Sequence, residues 1–550
     1  LIAVLRPLFL FTIIVIFLQP ARAVNLDRGE WAAAAEAKPP MTAAETRAFI
    51  QRLTDFVLEN HLKRAEGSPQ RGLIYEYFRP KLKGQAGQWV QGEALDTMHD
   101  GAWFAVGMVS AARATGDPRY REVLRKWQLP FYLKMLNHGD ELFTSERNDA
   151  TPEKVKTWAG AKEWLLQGRE KGFVPYWWDD GASVSLEIVG RLMRKSTDAQ
   201  LEYPGRDDFA GKANPEGRLS GYSLGSSNHL AQDLGVMLQQ TWLLFREGDA
   251  ADKKVAAEIA EAAMHLQECR TRHGSSNIPA VIAAAGLANG KPELMKAMAA
   301  DSWDNVKKAK NHFLEATVTF KAGQRYSAPG FADDVEYRYY SYLARNGTLS
   351  ETVAWKTIFD AFTEPQLYRL YSDDAPVPPG IGQFDLYPYN FVDGRPVDLR
   401  SERKGPSKRP KPIGSRFGPQ NMICCGWAIE ALRAYPGLWE KALAENGPET
   451  LGMSVVEQAN PKLPAGFWKT SAGVEQWLTR ELGGGLRTWE AIFDQYGYIP
   501  TGLGTGSTMI GVTWDEFSDD GGYAHLIGAA AQWLLVLEGK RDWEMHGVGK

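Results

Sequence analysis

Apolar positions recur with a helical period along most of the chain. In residues 43–61, Phe49, Leu53, Val57 and Leu58 fall on one face. Residues 118–136 follow a similar pattern. Within 226–246, Leu230, Leu234, Leu238 and Trp242 recur at every fourth position. Residues 250–268, 292–312, 350–371 and 521–538 read as further helices. Strand signals are few and short, as at 317–320. No shift in composition marks a second, β-rich domain. The pattern predicts an all-α fold.

Small polar clusters repeatedly open the apolar helices. They are His99-Asp100-Gly101, Asp179-Asp180-Gly181, Gly225-Ser226-Ser227-Asn228, Gly274-Ser275-Ser276-Asn277, Ala332-Asp333-Asp334, Gly418-Pro419-Gln420-Asn421 and Asp519-Asp520-Gly521-Gly522. More charged, amphipathic helices stand between them. Enclosed helices are apolar on most faces, and outer ones on a single stripe. A ring of helical hairpins satisfies both. Its inner helices run the same way and gather their N-termini at one end. Seven clusters predict an (α/α)7 toroid, or an (α/α)6 toroid, as one domain over 24–550. Each cluster taken singly is also an ordinary N-cap. A solenoid of helical hairpins is the competing architecture, against which the uneven spacing and long loops argue.

Charge and cysteine content narrow the classes. With 63 Lys and Arg against 67 Asp and Glu, the formal net charge is -4, which does not suit a general nucleic-acid binder. Three cysteines exclude a disulfide-built scaffold. Cys424 and Cys425 are adjacent in a predicted helix and read as core thiols. No Cys/His spacing suits zinc, and neither a metal nor a cofactor is predicted. Residues 1–23 carry an early Arg, an apolar run and Ala21-Arg22-Ala23, the pattern of a cleaved export signal. A membrane anchor is the other reading. The expectation is an exported protein, periplasmic or extracellular, without stable membrane insertion. The 19 tryptophans suit stacking on sugar rings, or a large aromatic core.

Several constellations could carry chemistry. Asn228 and His229 open a strongly periodic helix, with Gln232 and Asp233 on the His229 face. Histidine transfers protons near neutral pH, and the amide can hydrogen-bond a carboxylate. Arg270, Arg272 and His273 stand before a second Gly-Ser-Ser-Asn, where a cation can pair with a carboxylate. Arg325, Tyr326, Tyr337, Arg338, Tyr339 and Tyr340 crowd around Asp333 and Asp334. A nearby cation lowers a tyrosine's pKa, so Tyr326, adjoining Arg325 ahead of a predicted inner helix, is the candidate base. Trp177, Trp178 and Asp180 resemble a sugar-binding rim, as do His99 and Trp103. Residues 395–416 hold eight Lys and Arg against two acids, a basic loop suited to an acidic polymer. No nucleotide-binding Gly-rich motif, HExxH or GxSxG occurs.

Ser227-Asn228-His229 resembles the Asn-Asn-His motif of (α/α)-toroid alginate lyases, with Ser227 in place of the first Asn. The seven-hairpin count is similar to polysaccharide lyase family 38, whose members act on alginate and glucuronan. The resemblance implies β-elimination on an acidic polysaccharide, with Asn228 and His229 neutralising the uronate carboxylate and a Tyr moving protons. No motif matches that Tyr, so Tyr326 rests on the residues alone. A toroid glycoside hydrolase is the alternative. It needs two carboxylates roughly 5–9.5 Å apart, for which Asp100, Asp180, Asp333, Asp334 and Asp515 are available. A non-catalytic glycan-binding protein is the third reading.

Overall fold

The computed structural model describes residues 33–62, 97–138, 228–272, 278–291, 417–449, 451–500 and 518–541, with short strands and isolated positions between them. The export signal, 317–320 and most of 292–312 lie outside the described residues. The chain is predominantly helical. The helices are α1 (Ala43–Asn60), α2 (Thr97–Thr115), α3 (Pro118–Val123), α4 (Leu129–His138), α5 (Asn228–Phe245), α6 (Ala250–Arg272) and α7 (Pro279–Ala288). After them come α8 (Phe417–Ala434), α9 (Leu438–Asn446), α10 (Met453–Ala459), α11 (Ser471–Thr479), α12 (Gly485–Tyr496) and α13 (Asp520–Glu538). One π turn, Leu124–Gln128, joins α3 to α4, and another, Arg480–Gly484, joins α11 to α12. Among the described residues no helix is long and apolar enough to cross a membrane.

Local chemistry sets the helix starts. Thr42 and Glu45 form a reciprocal capping box on α1. Asp117 caps α3, whose first residue, Pro118, has no N–H to satisfy. The predicted starts are shifted by little: His99-Asp100-Gly101 and Gly418–Asn421 lie within the first turns of α2 and α8 rather than ahead of them.

Five cluster-headed helices pack side by side in the order α7, α5, α2, α13, α8. Their directions follow from individual contacts. Gln420 meets His525 near the starts of α8 and α13, and Arg433 donates to the Val536 carbonyl near their ends, so these two run parallel. Helix α1 runs against α2 and α13: Arg47 bonds the Ala114 carbonyl and pairs with Glu538, while His61 at its far end bonds Ser518. In turn, the continuous helical run α3–α4 is antiparallel to α2: it begins just after α2 ends, and Gln128, midway along it, reaches back to the Gly101 carbonyl near the α2 start. Ion pairs of Arg121 with Asp252, and the His265–Asn137 bond, align α3 and α4 with α6. A four-residue connection reverses α5 into α6, and Asn289 at the end of α7 bonds the Ala260 carbonyl. All five therefore point the same way, with α1, α3, α4 and α6 running opposite on the outside. The last described helix, α13, packs on both α1 and α2, so the two ends of the described chain meet.

The core is continuous across these helices. Two glycines allow the closest approaches. A Cβ on Gly235 of α5 would lie 2.6 Å from the Ala280 carbonyl carbon of α7, and one on Gly107 of α2 would lie 3.0 Å from Ala524 Cα of α13. Trp103, Trp355, Trp427, Trp439, Trp468, Trp477, Trp489 and Trp533 are all buried. Trp355, Trp439, Trp477 and Phe362 form one aromatic cluster with tilted and edge-to-face contacts. Much of the aromatic excess is therefore core. Cys269, Cys424 and Cys425 are buried.

The strands are two to four residues long. β1 (Tyr77–Arg79) lies between β2 (Gln88–Trp89) and β11 (Ser518–Asp519). β3 (Arg325–Ala328), β5 (Tyr389–Val392) and β6 (Arg395–Asp398) make a second sheet, in that order. β4 (Gly382–Gln383), β7 (Ile413–Gly414) and β8 (Gly502–Leu503) make a third, whose β4 packs on α8. β9 (Thr508–Met509) and β10 (Val512–Thr513) pair alone. The predicted loop over 395–416 thus begins and ends in strands.

Candidate functional site

The parallel arrangement brings the N-terminal turns of α2, α5, α8 and α13 to one end of the molecule. Helix N-termini carry partial positive charge and unpaired N–H groups, so this end favours an anionic group. Its best-defined element is a buried trio. His525 Nδ1 donates to the Gly521 carbonyl at 2.5 Å, which leaves Nε2 to accept from the Gln420 amide at 2.8 Å. The Trp103 ring centre lies 4.2 Å from the imidazole, tilted by 45°. All three residues are 2% exposed, so the trio knits three helix ends together from beneath.

Asn228 and His229 are the first two residues of α5, at this same end. One turn below, Asp233 is buried and Gln232 half-buried. The last turn of α6 also arrives here, because α6 runs against α5. Arg270 in that turn is buried, and burial pulls its guanidinium below the usual range. Arg272 is exposed, with Nη2 3.5 Å from the Lys171 carbonyl oxygen. His99 is the third residue of α2 and belongs to the same set of helix ends.

Arg325 and Tyr326 open β3, an edge strand, and the helix predicted after them lies outside the described residues. Tyr326 is in register with Phe391 and Pro396, and Arg325 with Val392 and Arg395. Trp177, Trp178, Asp180, His273, Tyr337 and Arg338 lie outside the described residues.

Sequence reasoning did not single out His525. Its signal was slight: one histidine in an apolar helix, three residues beyond the Asp519-Asp520-Gly521-Gly522 cluster. Among the described residues no group of three His, Cys, Asp or Glu side chains is placed to hold a metal. An open recess of about 690 Å³ runs along α6 past Trp242, Lys253, His265 and Asn289, by the C-terminal ends of α5 and α7 and away from these helix starts. No protein-family model matches the chain, and no curated protein or solved structure matches it.

Proposed function

We propose that the helical hairpins close into an (α/α) toroid and that the protein is an exported polysaccharide lyase acting on a uronate polymer such as glucuronan or alginate. One observation carries the reading: Asn228 and His229, the pair that resembles the toroid-lyase motif, open an inner helix at the end where the parallel helices begin. Support for the ring comes from α13 packing on α1 and α2, since the terminal repeats of an open solenoid stand apart.

The chemistry is β-elimination. Asn228 and His229 hydrogen-bond the uronate carboxylate and stabilise the charge that develops when the C5 proton leaves. Preorganised donors of this kind commonly contribute about 10²–10³ in rate. The Tyr326 phenolate takes the C5 proton, its electron pair forms the C4–C5 double bond, and the C4–O4 bond breaks. O4 leaves with a proton from the phenol or from solvent.

The test is incubation with glucuronan, polymannuronate and polyguluronate, read by ultraviolet absorbance of the unsaturated product. Absorbance that grows with wild type and is lost in Tyr326→Phe supports the reading. Reducing ends without that absorbance identify a hydrolase, and no turnover of any glycan identifies a binding protein.

A further inference from the structure

Helix α6 stands on the outside of the hairpins and leaves one face uncovered. Lys253, Ala257, Ala260, Glu261, Met264 and Glu268 all line the open recess that runs along it. At 3.6 residues per turn they fall within one stripe about 100° wide. Lys253, Ala257, Glu261 and Glu268 are exposed, and Ala260 and Met264 are half-buried. The middle of the stripe is mostly small and apolar, which lets a second helix approach closely. Its ends carry opposite charges about 22 Å apart, at 1.5 Å per residue. Among the described residues neither Lys253 nor Glu268 forms an ion pair.

This stripe is complementary to itself when reversed. A second copy of α6, turned antiparallel about a two-fold axis between residues 260 and 261, sets Lys253 against Glu268 of the partner subunit. The same turn sets Ala257 against Met264 and Ala260 against Glu261, and every pair occurs twice. A parallel copy would set Lys253 on Lys253 and Glu268 on Glu268. Glu261, beside the axis, has His265 Nε2 of its own chain 3.9 Å away. We infer that the protein pairs with a second copy of itself through antiparallel contact of the two α6 helices about that axis. One helix pair covers less than the roughly 1,600 Å² of a standard interface, so the dimer is weak and concentration-dependent. Its outer charge pairs are exposed, so salt weakens it further. The pairing holds whatever glycan the protein binds.

Sedimentation velocity of the full chain, from low to high micromolar concentration and at two salt levels, tests the pairing. Wild type should pass from monomer to dimer as concentration rises, and less readily in high salt. Lys253→Glu and Glu268→Lys should each weaken dimerisation about tenfold, because each puts two like-charge contacts into the dimer. The double variant should dimerise like wild type, and an equimolar mixture of the two single variants should form the mixed dimer. Circular dichroism of each should match wild type, since both side chains are exposed. A cross-link reads the geometry even if a charge variant misfolds. Ala260→Cys, beside the axis, should join two copies by a disulfide under oxidised glutathione. Thr271→Cys, at the far end of the same face, should not. A wild type that stays monomeric throughout overturns the proposal. So do single variants that dimerise like wild type, a double variant that fails to recover, or equal cross-linking from both cysteine positions.

Discussion

Gln420 and His525 join two parallel helices through a buried bond of 2.8 Å from the amide nitrogen to the imidazole Nε2. The same ring is fixed from its other nitrogen by the Gly521 carbonyl, four residues back on its own helix. The imidazole is therefore held through both ring nitrogens, which ties the start of α8 to the start of α13. Truncating one partner of a buried polar pair costs about 1–3 kcal/mol. Gln420→Ala should lower unfolding stability by that amount in urea titration. The loss from the double variant with His525→Ala should be smaller than the sum of the single losses. Full additivity would show that the bond couples nothing.

The approach of α5 to α7 depends on Gly235. An added methyl would press on the backbone of Ala280 and Val281, which cannot swing aside. Overpacking of this kind costs about 1–3 kcal/mol, which exceeds the ~0.5–1 kcal/mol that alanine returns in a helix interior. Gly235→Ala should lower Tm. Gly484→Ala is the mild control, because its nearest neighbour would be Pro379 Cβ at 3.3 Å. Equal Tm values for the two variants would refute the close-approach argument.

Acid should weaken the anchoring of α1. The Glu45 carboxyl is held down to about 2, from an ordinary 4.5, first by the Thr42 backbone N–H, then by Arg487 and by the Thr42 hydroxyl. Arg487 is itself buried and also pairs with Glu490 and the Pro39 carbonyl. A depressed carboxyl contributes stability that is present above the unfolded value and lost as pH falls through the folded one. The Tm difference between wild type and Glu45→Gln should be widest above pH 5 and should close between about pH 4.5 and 2. A difference that stays constant over that range would contradict it.

Legibility in the sequence varied with how local the cause was. Helices at 43–61, 226–246 and 521–538 were readable within a few residues, because one apolar face or a continuous apolar run marks them. Five of the seven clusters stand at the starts of described helices, where Asp, Asn and Ser are favoured, and those at 179–181 and 332–334 lie outside the described residues. The order of neighbours was not readable: nothing local says that α13 lies on α2. The β3–β5–β6 sheet was hidden for the same reason, as short strands carry almost no periodicity. Adjacency in sequence suggested that Arg325 serves Tyr326, and the backbone places the two side by side at the start of β3. Composition could not tell a stacking tryptophan from a packed one, and all eight named above are packed.

On the lyase reading, Asn228 and His229 act on developing charge more than on binding. Asn228→Ala and His229→Ala should each lower kcat on glucuronan by about 10²-fold or more with a smaller change in KM. Far-ultraviolet circular dichroism should match wild type. A rise in KM with kcat preserved would reassign the pair to ground-state binding.

On the proposed reading, the protein breaks a uronate polymer by elimination. Mass spectrometry of a glucuronan digest tests it most directly. Elimination yields oligosaccharides one water lighter than hydrolysis would, each with an unsaturated end that absorbs in the ultraviolet. Wild type should release those lighter products and Tyr326→Phe none. Oligosaccharides at the full hydrolytic mass, or an intact polymer after prolonged incubation with wild type, would contradict it.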